Sequence, residues 1–310
     1  MEIRLAIFSN RVVVYNLNEG QASTLVAKYR NNKMRIKSYH QRFVPSDPED
    51  MVVVNVPWDI VQTAFLELPP IKKDIDRIRV AELELRRIYN LSEDINVSCI
   101  PSLFGKYFVL FVRRTDFIRF LESNGLNFTP DIAYPNVLSE LLLVKKLPGR
   151  WLYIVLGEYT SGIVVMSDNF IINFRIIDIS TNEISHLIKE ETGFELYEIE
   201  TSGNEELIEQ SRKILDTISS DIISIISREI IISTNTTELE KISIDSIDGI
   251  VLVSKSKMIR DTIFAAESDI IRKFTDPVYL VKIYPQLSMS ELGLLYRGGI
   301  ELGKVKSIIW

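Results

Sequence analysis

Two stretches far apart in the chain share one plan, and that repetition constrains the fold more than any other feature. Residues 3 to 45 read as three short strands, Leu5 to Phe8, Val12 to Leu17 and Arg35 to Phe43, with polar turns at Asn10 and Asn31-Asn32. Trp151 to Leu156, Ile163 to Met166 and Phe170 to Ile177 repeat the plan, the last two joined through Asp168-Asn169. Runs of this length bounded by turn-forming residues read as strands, and tight connections make consecutive strands antiparallel. Each meander is followed by segments of helical character, most clearly where Ser180 and Glu183 form a capping box ahead of a helix that Gly193 ends. A repeated meander-then-helices pattern predicts two related α/β lobes. The length of 310 residues agrees, because single hydrophobic cores stop growing near that size.

Between the meanders lies a second kind of module. Pro45-Ser46-Asp47-Pro48 breaks the first pattern, and Met51 to Val56 then reads as a strand running into Pro57. Ile71, Ile75, Ile78, Ala81, Leu85 and Ile88 recur at gaps of three and four, which puts them on one face of a helix, with Glu82 and Arg86 paired on another. Tyr107 to Val112 is a strand, Thr115 the expected N-cap of the next helix and Gly125 its stop. A further helix runs from about Val137 to Pro148-Gly149. Beyond the second meander the spacing predicts a helix over Glu205 to Ile230, a buried strand at Gly249 to Ser254 and a helix from Met258 to Phe274. A strand opening at Pro277 and a terminal helix from about Ser288 complete the chain.

Composition narrows the function. Acids and bases are interspersed around a net charge of −6, with no long basic run to follow a phosphate backbone, so nucleic acid is not an expected partner. One cysteine, Cys99, and two histidines, His40 and His186, cannot build a Cys/His zinc cage or an internal disulfide, and no metal site is expected. Cys99 has no basic neighbour in sequence to lower its pKa, and His186 reads as a mid-helix surface residue. Neither an export signal nor a spanning apolar stretch is legible, which predicts a cytoplasmic chain. Glycine contributes only 13 residues, against a usual share of roughly 7%, and phosphate-cradling loops are built from glycine.

Two segments carry a family resemblance. VVVNVPWDIVQTAFLELPPIKKDIDRIRVAELELRRIYNLSEDINV, residues 52 to 97, resembles the small inserted subdomain of PilM, with a strand ending in Pro, a Leu-Pro and then an acid-rich helix. GKYFVLFVRRTDFIRFLESNGLNFTPDIAYPNVLSELL, residues 105 to 142, is similar to that subdomain's later strand and helix, with Asn124-Gly125-Leu126 and Pro130-Asp131-Ile132 at the matching phrase. The resemblance to the PilM and GspL branch of actin-like proteins implies a two-lobed α/β actin-like (ribonuclease H-like) fold. It divides the chain into a first lobe of residues 1–50, 131–149 and 290–310, an inserted subdomain of residues 51–130, and a second lobe of residues 150–289.

That family holds nucleotide between its lobes with glycine turns and metal-organising Asp residues, and each element departs from the pattern here. The Asp-Ile-Gly of the first meander falls on Ala6-Ile7-Phe8, and that of the second on Val155-Leu156-Gly157, which keeps the glycine and Thr160 but no acid. The two Gly-Gly positions read Asp178-Ile179-Ser180 and Ser254-Lys255. Catalytic residues and cofactor are therefore not expected. Gly157 and Thr160 remain as remnant binding candidates for ATP and Mg²⁺, with Glu158 a possible replacement for the missing acid. The resemblance implies a non-catalytic cytoplasmic scaffold at the inner face of the inner membrane, in a type IV pilus or type II secretion platform. Its implied partners are the N-terminal peptide of a PilN-like membrane protein, received in a groove lined by parts of residues 1 to 56 and 100 to 130, and a motor ATPase. Membrane association would then be indirect. Two other readings stay open: an actin-like ATPase with a rebuilt site, and a division protein like FtsA. The latter would need an amphipathic end, where only Ser307-Ile308-Ile309-Trp310 follow Lys304 and Lys306.

Overall fold

A computed structural model describes residues 9–18, 21–30, 33–144, 147–235, 246–266 and 286–304. The chain divides into two compact units, Met1–Leu143 with Ser290–Trp310, and Val144–Met289.

In the first unit, β1 (Arg11–Asn18), β2 (Gln21–Arg30) and β3 (Lys33–His40) form an antiparallel meander. Strand β4 (Met51–Val56) joins β1 in parallel and β8 (Ile132–Pro135) joins β4, giving the order β3-β2-β1-β4-β8. β1 and β4 are near-continuous apolar runs because both faces of this sheet are covered. Val13, Tyr15 and Leu17 pack beneath Phe117 and Leu121 of α2 (Arg114–Ser123). On the opposite face the last helix, α8 (Met289–Glu301), approaches so closely that a Cβ on Gly298 would lie 2.6 Å from Val12 and 3.0 Å from Val53. α3 (Asn136–Leu141) follows β8 and is wholly buried.

Inserted between β4 and β8 is a three-stranded antiparallel sheet, ordered β5-β7-β6, from β5 (Gln62–Glu67), β6 (Ile95–Pro101) and β7 (Lys106–Arg113). Ala64, Leu66, Val109 and Phe111 pack there with Ala81 and Leu85 of α1 (Asp74–Tyr89). Only the middle of that helix packs down: Ile75 and Ile88, expected on its buried face, are 66% and 52% exposed.

The second unit repeats the sheet plan of the first. β9 (Arg150–Val155), β10 (Ser161–Ser167) and β11 (Phe170–Ile177) form the meander, and β12 (Gly249–Val253) joins β9 in parallel, as β4 joins β1. α4 (Thr181–Thr192), α5 (Leu196–Ser202), α6 (Glu205–Asn235) and α7 (Lys257–Ala266) complete it.

Several expectations shift. Residues 21–30 form β2, a strand that Ser23, Thr24 and two alanines obscure in the sequence, so among the described residues the first meander runs from Arg11 and its first connection joins Asn18 to Gln21. The expected strand at Leu5 to Phe8, the end of the helix at Phe274 and the strand at Pro277 lie outside the described residues. Met51–Val56 belongs to the five-stranded sheet and not to the inserted module, because its partner is β1. Thr115 sits inside α2, where its hydroxyl donates to Glu93, and Arg113 holds the N-cap position. The capping box at Ser180 and Glu183 and the Gly193 stop are formed as the spacing predicts.

Candidate functional site

Among the described residues, two places bear on the expected sites. The first is a cavity of about 280 Å³ within the first unit, lined by Val56 and Val61, by Asn96 and Ser98 of β6, by Leu110 and Val112 of β7, by Phe117, and by residues 129–131 and 133–135. Alternation along β6 makes this lining. Val97 and Cys99 pack toward the α1 cluster, which leaves Asn96 and Ser98 exposed on the other face. Both β6 and β8 are terminal strands of their sheets, so among the described residues their outer backbone groups have no ladder partner. Ala133 of β8 is exposed in the lining. Asp131 anchors the entry to β8, exchanging backbone and carboxylate hydrogen bonds with Val52 at 3.0 and 2.8 Å, and Arg297 lies over the Tyr134 ring at 5.7 Å. The walls are therefore apolar and the rims carry strand edges. Of the expected lining, residues 56, 110–112, 117 and 129–130 contribute. Residues 61, 96–98, 131 and 133–135 join from outside those ranges, most of them because β6 and β8 are the edge strands.

The second place is the end of β9 in the second unit, where the remnant candidates fall. Gly157 N–H donates to Ser161 Oγ at 3.2 Å, so the glycine amide is already spent. Its carbonyl accepts from the Thr181 N–H and hydroxyl at 2.9 and 3.2 Å, and the Glu158 carbonyl accepts from the Asn182 N–H. The Glu183 N–H goes to Ser180 Oγ. The first-turn donors of α4 that would attract an anion are thus used inside the chain. The start of α7 is closed in the same way, because the Glu200 carboxylate accepts from Met258 N–H at 2.7 Å and Ser256 Oγ at 2.8 Å, while the Ile259 N–H donates to Ser256. Glu158 faces Lys255, 3.9 Å away, and Lys255 also lies over the Tyr197 ring at 5.5 Å.

These contacts bring together Gly157, Glu158, Ser161, Thr181 and Lys255, whereas Thr160 joins only through its place in the loop. The counterpart of this loop in the first unit is the end of β1, because β1 and β9 occupy the same sheet position. That end reads Asn16-Leu17-Asn18, whereas the expected Asp-Ile-Gly position, Ala6-Ile7-Phe8, lies outside the described residues. Asn16 is buried, and its Oδ1 has no partner among the described residues. His186 is surface-exposed 3.5 Å from Glu190. Burial pushes the Cys99 thiol up to about 11, which keeps it protonated at neutral pH. Among the described residues no cluster of three metal-ligating side chains occurs, and no helix is long and apolar enough to cross a membrane. The cavity between β6 and β8 is not legible in the sequence, because neither strand stands out there by alternation or by an apolar run.

No family model matches the sequence, and no curated protein does. Solved structures do resemble it. The PilM-PilN type IV pilus biogenesis complex matches at 13% identity with a TM-score of 0.57, over 93% of this chain and 98% of that one. Weaker likenesses, at TM-scores of 0.41 and 0.43, extend to two further structures. One is the cytoplasmic domain of EpsL, an inner-membrane component of the type II secretion system of Vibrio cholerae, at 11% identity over 97% of this chain and 98% of that one. The other is a Bacteroides thetaiotaomicron protein with an actin-like ATPase fold, at 10% identity over 95% and 99%. The duplicated meander, each copy extended by a parallel strand, together with the module inserted after β4, is the actin-like fold in the form seen in the PilM structure.

Proposed function

We propose that this chain is a non-catalytic cytoplasmic scaffold of a type IV pilus or type II secretion platform, whose cavity between β6 and β8 receives the extended N-terminal peptide of a PilN-like membrane protein. The cavity carries this reading. Two open strand edges can exchange main-chain hydrogen bonds with an added strand, and the walls around Leu110, Val112 and Phe117 offer apolar pockets for alternate side chains. The likeness to a structure determined with PilN supports the kind of occupant. In the second unit the spent Gly157 amide and the in-chain carboxylate at the start of α7 support the absence of catalysis, since a phosphate would have to displace both. A motor ATPase and a place at the inner face of the inner membrane belong to the same proposal and rest on resemblance.

Ala133 tests it. Arg at this exposed position projects into the cavity without disturbing a core, so Ala133→Arg should weaken a synthetic N-terminal peptide of the PilN-like partner by at least about tenfold, the effect of ~1.4 kcal/mol. Fluorescence anisotropy with the labelled peptide measures it, and thermal unfolding should stay unchanged. Undiminished affinity in a folded variant would remove the cavity from the account.

A further inference from the structure

The hairpin of β2 and β3 carries five cations on one face. Lys28 and Arg30 alternate along β2, and Lys33, Arg35 and Lys37 along β3. All five are exposed, and together they line a groove of about 510 Å³. The register sets Lys28 directly opposite Arg35 and Arg30 opposite Lys33. Like charges facing each other across a ladder destabilise it. None of the five is in an ion pair among the described residues, although the chain as a whole carries a net charge of −6. Charged edge strands guard against unwanted pairing, which accounts for the three cations of β3. It does not account for Lys28, where β2 is paired on both sides, with Arg11 of β1 and Arg35 of β3.

The chemistry around the groove selects the occupant. No large exposed hydrophobic residue lies on this hairpin, whereas the core of a protein interface is rich in aromatics and poor in lysine. A single-stranded nucleic acid would need stacking platforms, and Tyr29 is buried, with its hydroxyl donating to the Leu295 carbonyl. Attraction to an anionic bilayer needs neither, only cations within reach of the surface.

We propose that this hairpin face docks onto an anionic phospholipid bilayer, with lipid phosphates seated among Lys28, Arg30, Lys33, Arg35 and Lys37. The proposal stands apart from the peptide cavity, and it adds a direct membrane contact to the indirect association expected of a scaffold.

Co-sedimentation of the whole chain with vesicles tests it, comparing phosphatidylcholine containing phosphatidylglycerol with phosphatidylcholine alone, at low and at high salt. The chain should sediment with the anionic vesicles at low salt and be released at high salt. Each cation near the surface contributes roughly fivefold to partitioning, so the double reversal K28E/R35E should lower binding by well over tenfold. Arg35→Glu alone separates docking from folding, because it turns a repulsive cross-strand pair with Lys28 into an attractive one. Its melting temperature should hold or rise while vesicle binding falls, whereas a merely structural role would move both together. No sedimentation at low salt, equal binding to neutral vesicles, or full binding by K28E/R35E would overturn the proposal. Binding of poly-L-glutamate with no binding to vesicles would overturn it in favour of an acidic protein partner.

Discussion

Ser254, directly after β12, is fully buried, and its hydroxyl has no hydrogen-bond partner among the described residues. An unpaired buried hydroxyl costs about 1–3 kcal/mol, so Ser254→Ala should leave stability unchanged or raise it by roughly 1 kcal/mol in chemical denaturation. A loss of that size would mean the hydroxyl is engaged. Cys99 offers a second test at this scale. Its thiol is held at about 11 in the folded chain, mainly by burial, above the ordinary value of 9.0. The neutral form is the one the fold favours, so its contribution is complete below about pH 9 and is lost as pH rises toward about 11. Slow labelling by a thiol reagent at pH 8 is expected, and Cys99→Ala should flatten the first part of the alkaline decline in stability. The sequence could suggest an unreactive cysteine but not its cause, which is packing against the α1 cluster.

At the scale of elements, legibility followed local signals. The capping box and glycine stop of α4 are local chemistry, and both were readable as residue spacings. β2 was hidden because polar Ser23 and Thr24 sit in a strand whose other half is buried, so neither alternation nor a continuous apolar run was clear. Once β2 and β3 pair, a scattered set of basic residues becomes a ladder, which explains why the charge pattern looked dispersed along the chain. α8 shows a constraint that no single-sequence pattern announces. A Cβ on Gly293 would lie 2.1 Å from the Ser139 carbonyl oxygen, and backbone cannot rotate aside as a side chain can. Gly293→Ala should therefore cost about 2–3 kcal/mol, read from the denaturant midpoint, despite the better helix propensity of alanine.

For the molecule as a whole, the two meanders made the duplicated plan readable before any contact was known. What they could not supply was register. The Asp-Ile-Gly position expected at Ala6-Ile7-Phe8 lies outside the described residues, and sheet order makes the end of β1 the counterpart of the Gly157 loop. The cavity between β6 and β8 is lined by the edge strands of two different sheets, which is a property of topology and not of any segment. The central claim, a scaffold whose nucleotide-type loop is closed by its own side chains, predicts that the two ligands behave oppositely. Calorimetric titration of Mg²⁺-ATP into the purified chain should give no binding tighter than about 1 mM (~4 kcal/mol), while the partner's N-terminal peptide binds in the same cell. Micromolar ATP affinity would contradict the account and make the Gly157 loop a working phosphate site.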